Sequence, residues 1–277
     1  MELFTRQDSS FILKKIEKSL IIGNDKSLSK MVNLSNLILD ESKNKLLSKL
    51  DYLPTIFLYG PPNTGKTTLV YRLFQKIKLT KNNIELYYMN FPSVMSSEYG
   101  STSKNIVSVF SDLFSPNLDN PKILLIDEID QFCMSRDRNN EHDASRRAMS
   151  SLMLEIDKLH PSNKQGLIVI AISNVQGMID PAIIRRFNLK LKINETLDFD
   201  EFKQYINEIQ LDFKELNLND EIGSLYEIYI RKSLTISDIK GCFRDALNYN
   251  ISELLSSDII IKSFENAYSS VTNNLES

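Results

Sequence analysis

The residues best suited to do chemistry lie in the stretch GPPNTGKT, Gly60 to Thr67, which has the spacing G-x-x-x-x-G-K-[ST]. An apolar run ends just before this stretch and a helical pattern begins just after it, which is the context that the motif requires. In such a loop, backbone N–H groups and a helix N-terminus face phosphate groups. Lys66 is expected to reach the β- and γ-phosphates of a nucleoside triphosphate, and the Thr67 hydroxyl to bind Mg²⁺. The predicted nucleotide-binding residues are Gly60, Pro61, Pro62, Asn63, Thr64, Gly65, Lys66, Thr67 and Thr68.

A second set of candidate catalytic residues, a pair of acids, follows the apolar residues of the stretch ILLIDEID. Asp127 follows a predicted buried strand, where its carboxylate can hold Mg²⁺ through water, and Glu128 beside it can act as the base that polarises an attacking water. Two acids at the end of a strand can also serve only as solubilising charge. The phosphate-binding motif upstream favours the metal and base roles.

The elements that must position these residues are short apolar runs separated by helical patterns. The runs contain Ile, Leu, Val and Tyr with little polar alternation, as expected for strands that are covered on both faces. Helices are predicted at about 65–78, 103–114 and 144–159, which makes consecutive βα units and a mainly parallel sheet. The predicted strands are 55–60, 84–91, 122–128, 166–174 and 189–193.

The predicted architecture is therefore α/β, a five-stranded parallel αβα sandwich of the P-loop type followed by a small all-helical domain. Helical spacing replaces the apolar runs after about residue 196. The predicted divisions are an N-terminal helix or linker at 1–20, a large nucleotide-binding domain at 21–196 and a small helical lid at 197–277.

The later motifs resemble those of AAA ATPases. AISN ends in Asn174, which takes the place of the polar residue that senses the γ-phosphate in that family, and IDPAIIRRFNLKLKI is similar to the second region of homology, with Arg185 and Arg186 before a Phe. A guanidinium directed at a transferring phosphoryl group stabilises its charge, and a neighbouring subunit can supply it. The resemblance implies catalytic roles for Lys66, Glu128, Asn174, Arg185 and Arg186.

Other segments resemble the same family, and in particular its katanin, spastin and ESCRT-disassembly branch. Residues 128–159 are similar to that branch and include Arg146 and Arg147, which the resemblance puts near a subunit boundary or pore but which fit an exposed helix start equally well. TISDIKGCFRDAL resembles a segment of the helical domain, with Ser237 and Asp238 in register. IIGND resembles the segment that brackets adenine, which implies that Ile22 and Gly23 line the base pocket.

One segment departs from the family pattern. Relatives that thread substrates carry an aromatic residue, an aliphatic residue and Gly in a loop that projects into a central pore. In this chain Glu98, Tyr99 and Gly100 fall on those positions, so an acid stands where the aromatic is expected. Whether Tyr99 grips a substrate is left open by the sequence.

Composition limits the remaining classes of protein. The 277 residues carry a formal net charge of −3, which argues against bulk electrostatic binding of nucleic acid. Two Cys, Cys133 and Cys242, and two His cannot build a disulfide framework or a zinc cluster. No apolar run reaches the roughly 18 residues of a membrane span, and the first residues fit neither a secretory nor a transit peptide, so a cytoplasmic setting is expected.

The resemblance implies an ATP hydrolase that binds ATP and Mg²⁺, assembles into a hexameric ring of identical chains, and uses turnover to remodel, unfold or disassemble a protein substrate, directly or through an adaptor. A DNA-directed AAA+ ATPase of the loader, partition or transposition type is an alternative, for which the lysine-rich stretches ILKKIEK and KIKLTKNN are the hints. A nucleotide-gated scaffold with little turnover is another.

Overall fold

The computed structural model describes residues 2–17, 22–95, 101–114, 120–130, 139–159, 166–175, 179–213, 216–249 and 255–269. The chain divides into two compact units. The sheet unit comprises residues 1–19, 25–60 and 65–193, and the helical unit comprises residues 20–24, 61–64 and 194–277.

A mostly parallel sheet forms the centre of the sheet unit. Its strands are β1 (Phe4–Arg6), β2 (Thr55–Tyr59), β3 (Glu85–Met89), β4 (Lys122–Ile126), β5 (Leu167–Ser173) and β6 (Leu189–Lys192). They follow the order β1-β3-β4-β5-β2-β6, and every neighbouring pair is parallel except β1 with β3. All five predicted strands are present, which confirms the predicted α/β fold class.

The antiparallel edge strand β1 was not predicted, because the first 20 residues were interpreted as a helix or linker. Among the described residues of this segment, the helix extends from Ser9 to Glu17. Strand β1 has three residues, too few to show an alternating pattern, and its place is set by contacts distant in sequence. Arg6 forms an ion pair with Glu85 at 2.8 Å, and backbone bonds join Gln7 and Leu3 to the β3 segment.

Helices cover both faces of the sheet. Successive residues of β2 point to opposite faces, so Phe57 joins one hydrophobic core while Ile56 and Leu58 join the other. The helices of this unit are α1 (Ser9–Glu17), α2 (Asp25–Ile38), α3 (Asn44–Lys49), α4 (Lys66–Lys78), α5 (Phe91–Val94), α6 (Ser101–Leu113), α7 (Asn139–Asp157) and α8 (Pro181–Ile184), with a 3₁₀ turn at Glu41–Lys43. The first core includes α6 and α7, and the second includes α1, α2 and α4.

The helical unit has its own aromatic core, in which Phe202, Tyr229 and Phe264 are fully buried. Asp198 and Glu201 form a capping box that begins its first helix. Its helices are α9 (Phe199–Gln210), α10 (Ile222–Arg231), α11 (Ile236–Tyr249) and α12 (Ser257–Asn266). Throughout the described residues, the helices are too short or too polar to cross a membrane.

Candidate active site

The phosphate loop, Gly60–Thr67, connects the end of β2 to the start of α4. A Cβ on Gly60 would lie 2.4 Å from the backbone oxygen of Ile193, so this position requires glycine. Gly65 takes a left-handed conformation, with φ of 83°, directly before α4. Gly65 has no side chain and so makes no side-chain cap to α4. The first N–H groups of a helix are a suitable site for an anion.

Lys66 is buried in this loop, with 5% of its surface exposed. Its Nζ donates a hydrogen bond to the backbone oxygen of Gly60 at 2.8 Å. Burial lowers the pKa of Lys66 to about 8, although the nearby carboxylates of Asp127 and Asp130 act to raise it. A bound phosphate would supply further negative charge and so favour the charged amine.

Thr67 and Asp127 meet at the start of α4. The Thr67 hydroxyl donates a hydrogen bond to Oδ2 of Asp127 at 2.8 Å, across 60 positions of sequence. Hydroxyl and carboxylate oxygens are the ligands that Mg²⁺ prefers, and Mg²⁺ in nucleotide sites usually keeps waters and phosphate oxygens as its remaining ligands. The residues present therefore fit Mg²⁺ held jointly with a nucleotide.

Glu128 is exposed directly beside this pair. Its backbone N–H donates to Oδ1 of Asp127 at 2.9 Å. Its φ of 54° lies in the left-handed region, which is uncommon for a residue with a side chain. Such strain is a frequent feature of functional sites, where surrounding contacts impose it.

Asn174 lies at the same end of the strands as the acids. Parallel strands β4 and β5 end side by side, and the Asn174 N–H donates to Oδ1 of Asp130 at 3.2 Å. Asp130 was not among the residues predicted from the sequence. The signal was present, because a third acid follows Asp127 and Glu128 after an apolar residue, but only the fold shows that Asp130 is buried.

Two tyrosines near these acids, Tyr71 and Tyr88, were also not predicted from the sequence. Burial, together with the smaller effect of the nearby charges of Asp127 and Glu128, raises the pKa of Tyr88 to about 12. Burial, with a smaller effect of Asp127, also raises the pKa of Tyr71. Both phenols therefore stay neutral beside the acids. Tyr88 lies in an apolar strand and Tyr71 in an amphipathic helix, so the sequence pattern indicates only core residues.

The predicted arginines lie at the opposite end of β2. Thr55, the first residue of β2, donates its hydroxyl hydrogen to the backbone oxygen of Arg186 at 2.8 Å, whereas Gly60 follows the last residue of β2. At about 3.3 Å per residue, these two ends are about 16 Å apart. That separation exceeds the length of an arginine side chain, so the structure does not bring Arg186 to its own phosphate loop.

The remaining predicted residues are placed as follows. Ile22 is buried in the core of the helical unit, and a Cβ on Gly23, whose φ is 78°, would lie 3.3 Å from Glu201. Pro62 and Asn63 are exposed at the tip of the phosphate loop. The predicted pore residues Glu98, Tyr99 and Gly100 lie outside the described residues.

Two other segments named from the sequence lie on helices. Arg146 and Arg147 belong to α7, and Arg147 is half-buried. Asp238 accepts hydrogen bonds from the Thr235 N–H and hydroxyl at 2.8 and 2.9 Å. This segment therefore caps the start of α11.

Comparison with known proteins identifies the family. The model of the family described as "ATPase family associated with various cellular activities (AAA)" matches residues 56–195, about half of the chain. A vesicle-fusing ATPase of Arabidopsis thaliana is 24% identical over 229 residues, which are 78% of this chain and 29% of that protein. Spastin of Gallus gallus is 30% identical over 139 residues, which are 50% of this chain and 21% of that protein. The chain thus spans less than a third of the length of either relative.

A solved structure has the same fold. A chain in the structure of the E. coli MS115-1 HORMA:CdnC:Trip13 complex superposes with a TM-score of 0.81 at 16% identity, covering 96% of this chain and 95% of that chain. The family match begins in β2 and extends past β6, so it includes the phosphate loop, the acids after β4, Asn174 and the arginine pair. The expected kinship with the branch that contains spastin is confirmed. The chain belongs to the AAA family of ATPases.

Proposed function

We propose that the chain hydrolyses ATP with Mg²⁺ at a site completed by a second copy of the same chain, within a hexameric ring. We further propose that turnover remodels, unfolds or disassembles a protein substrate. Family membership supports the first part, because AAA ATPases bind ATP and generally Mg²⁺. The second part extends the family resemblance to a substrate whose identity is open.

Each residue of the site has a role in this proposal. Lys66 and the loop N–H groups hold the phosphates, while Thr67 and Asp127 hold the metal ion. Mg²⁺ held by Thr67 and Asp127 would neutralise negative charge that develops on the phosphates during transfer. Glu128 accepts a proton from the attacking water, and Asn174 orients that water from the adjacent strand end.

The distance between the two ends of β2 is the observation that supports a site shared between two copies. The arginine segment is bonded to Thr55 at one end of the strand and the phosphate loop leaves the other end, about 16 Å away. An arginine that serves phosphoryl transfer must therefore act on the phosphate loop of another copy. This arrangement makes hydrolysis depend on assembly.

Several finer assignments belong to the same proposal. We place the nucleotide-binding domain at 21–196 and the lid at 197–277. We assign Ile22 and Gly23 to the pocket that binds the adenine base, and the loop at Glu98–Gly100 to contact with the protein substrate. Loss of the γ-phosphate would then change the state of the lid and of that loop. A cytoplasmic setting fits a chain with only two cysteines.

The shared site is tested by measuring phosphate release per chain as a function of protein concentration. Release per chain should rise with concentration and reach a plateau when assembly is complete. The Arg185→Ala variant should stay low at every concentration, and Arg244→Ala, which removes an exposed arginine of α11, should behave as the parent. A constant rate per chain down to high dilution would contradict the shared site, and near-zero release at every concentration would favour the scaffold.

Remodelling is tested separately with the Glu128→Gln variant. This form should retain ATP and hold its protein substrate, and the parent chain should release that substrate only when ATP is hydrolysed. Stimulation of hydrolysis by DNA that disappears with rising salt would instead favour the DNA-directed alternative.

A further inference from the structure

We propose that the two arginines have different tasks: Arg185 alone acts on the phosphates bound by the neighbouring copy, whereas Arg186 is a positioning residue that fixes the segment carrying Arg185. This inference rests on the proposed shared site and assigns its two arginines. The family resemblance gave both arginines the same role. The contacts within the sheet unit distinguish them.

The Arg186 guanidinium makes three hydrogen bonds within its own chain. Its Nε and Nη2 donate to Oδ1 and Oδ2 of Asp157 at 2.8 and 2.9 Å, and its Nη1 donates to the backbone oxygen of Ala182 at 2.8 Å. The two parallel bonds to Asp157 match the planar guanidinium to the planar carboxylate, which is the strongest geometry for such a pair. To contact a phosphate, Arg186 would have to give up these bonds.

The backbone around Arg186 is held as firmly as its side chain. Thr55 is fully buried, and its hydroxyl donates to the Arg186 backbone oxygen at 2.8 Å and accepts from the Asn188 N–H at 3.1 Å. Phe187 is also fully buried and packs against Phe57, with ring centroids 5.4 Å apart. The segment is therefore attached to the first half of β2 by hydrogen bonds and by the core.

Arg185 differs from Arg186 in each of these respects. It is exposed at the end of the short helix α8, whose start is capped by Asp180. Within the described part of the chain its guanidinium makes no hydrogen bond or ion pair. Its backbone N–H bonds to Pro181 at 3.0 Å, so the main chain is ordered while the guanidinium remains available. A fixed base with an available guanidinium suits a group that must reach a second molecule.

The decisive experiment exchanges the charges of the Arg186–Asp157 pair. Each single variant, Arg186→Asp or Asp157→Arg, places two like charges together and should lower kcat by about 100-fold, because misplacing a catalytic group by about 1 Å has an effect of this size. KM for ATP should change little, since the phosphate loop is at the other end of β2. The double variant restores an ion pair and should recover kcat to within about tenfold of the parent.

The double variant also separates the two tasks. If the Arg186 guanidinium itself contacts the neighbour's phosphate, a carboxylate at position 186 will leave the double variant as impaired as Arg186→Asp, and the inference is overturned. Thr55→Val and Thr55→Ser give a second test that does not depend on whether the charge variants fold. Removal of the hydroxyl in Thr55→Val should lower kcat with KM unchanged, and Thr55→Ser should retain the activity. Equal kcat in the parent and Thr55→Val would count against the positioning role.

Failure of this inference is distinguishable from failure of the shared site. Arg185→Ala should lower kcat by about 1,000-fold, as expected for an arginine supplied to phosphoryl transfer. Unchanged kcat in Arg185→Ala would remove the shared site itself. Low kcat in Arg185→Ala together with no recovery in the double variant would overturn only the division of tasks.

Discussion

Lys66 shows how burial shapes a single binding residue. Its amine is buried, so the charged form is disfavoured, and it donates a hydrogen bond to a neutral group, the backbone oxygen of Gly60. The nearby carboxylates of Asp127 and Asp130 offset this effect only in part, because the pKa of Lys66 remains lowered to about 8. A bound phosphate would therefore stabilise the charged form of Lys66, which burial alone disfavours.

The first prediction concerns pH. Above about 8 the free protein loses the Lys66 proton, and binding must restore it, so the affinity for ADP without Mg²⁺ should fall as the pH rises through this value. The stability of the nucleotide-free protein should change in the opposite direction. The unfolded chain holds the proton up to about 10.5, so the unfolding free energy contributed by Lys66 should rise between about 8 and 10.5.

Calorimetric titration with ADP, combined with denaturant unfolding at each pH, checks both signs. The control is Lys66→Met, which lacks the amine and should lose both of these contributions. An ADP affinity in the parent that changes with pH only as much as in Lys66→Met would contradict the prediction.

The second prediction concerns Glu128. Glu128→Gln removes the proton acceptor but preserves size and the backbone bond to Asp127, so kcat should fall by about 100-fold or more while the affinity for ATP stays near that of the parent. Glu208→Gln, which alters an exposed acid of α9, is the matched control and should leave kcat unchanged. Normal kcat in Glu128→Gln would remove Glu128 from its role as the base.

At the scale of elements, the sequence best predicted those helices and strands whose residues follow a simple pattern. The strands β2, β4 and β5 are buried along nearly their whole length, and such runs are recognisable without a fold. The phosphate loop was also recognisable, because its glycines are required by its backbone geometry. Strand β1 was not, because three residues carry no periodic signal and its pairing with β3 depends on tertiary contacts.

The parts of the site that the sequence did not predict come from contacts between elements. Asp130 supports Asn174 across two strand ends, and Thr55 holds Arg186 across more than a hundred positions of sequence. A sequence motif identifies the residues that contact the substrate. It does not identify the residues that position them, because these can come from any part of the fold.

The third prediction concerns the element that begins the helical unit. The Leu197 N–H donates to the Tyr229 hydroxyl at 2.7 Å, and both residues are buried. Tyr229→Phe leaves this N–H buried without its acceptor, which should lower the unfolding free energy by about 1–3 kcal/mol. Tyr205→Phe is the matched control, because the Tyr205 hydroxyl is buried and has no hydrogen-bond partner in the described residues.

Removal of the Tyr205 hydroxyl should therefore be neutral or should stabilise the protein by up to about 1 kcal/mol. Denaturant unfolding of the two variants beside the parent gives both values. Equal destabilisation by the two substitutions would show that the hydrogen bond to Leu197 contributes nothing beyond packing.

At the scale of the whole molecule, the proposed site is incomplete in one chain. Lys66, Thr67, Asp127, Glu128 and Asn174 lie at or beside one end of parallel strands, while the arginine segment is fixed at the other end of β2. The proposed ring of like copies would resolve this separation, because the rotation that joins two copies would bring each arginine segment to the next phosphate loop. Hydrolysis would then depend on assembly.

Mixing two inactive variants tests this account most directly. Lys66→Ala retains Arg185 but binds nucleotide poorly, and Arg185→Ala retains the phosphate loop. In an equal mixture, about a quarter of the boundaries should join an intact loop to an intact arginine, so phosphate release should rise well above the sum of the two variants measured alone. Release equal to that sum at every mixing ratio would contradict the shared site.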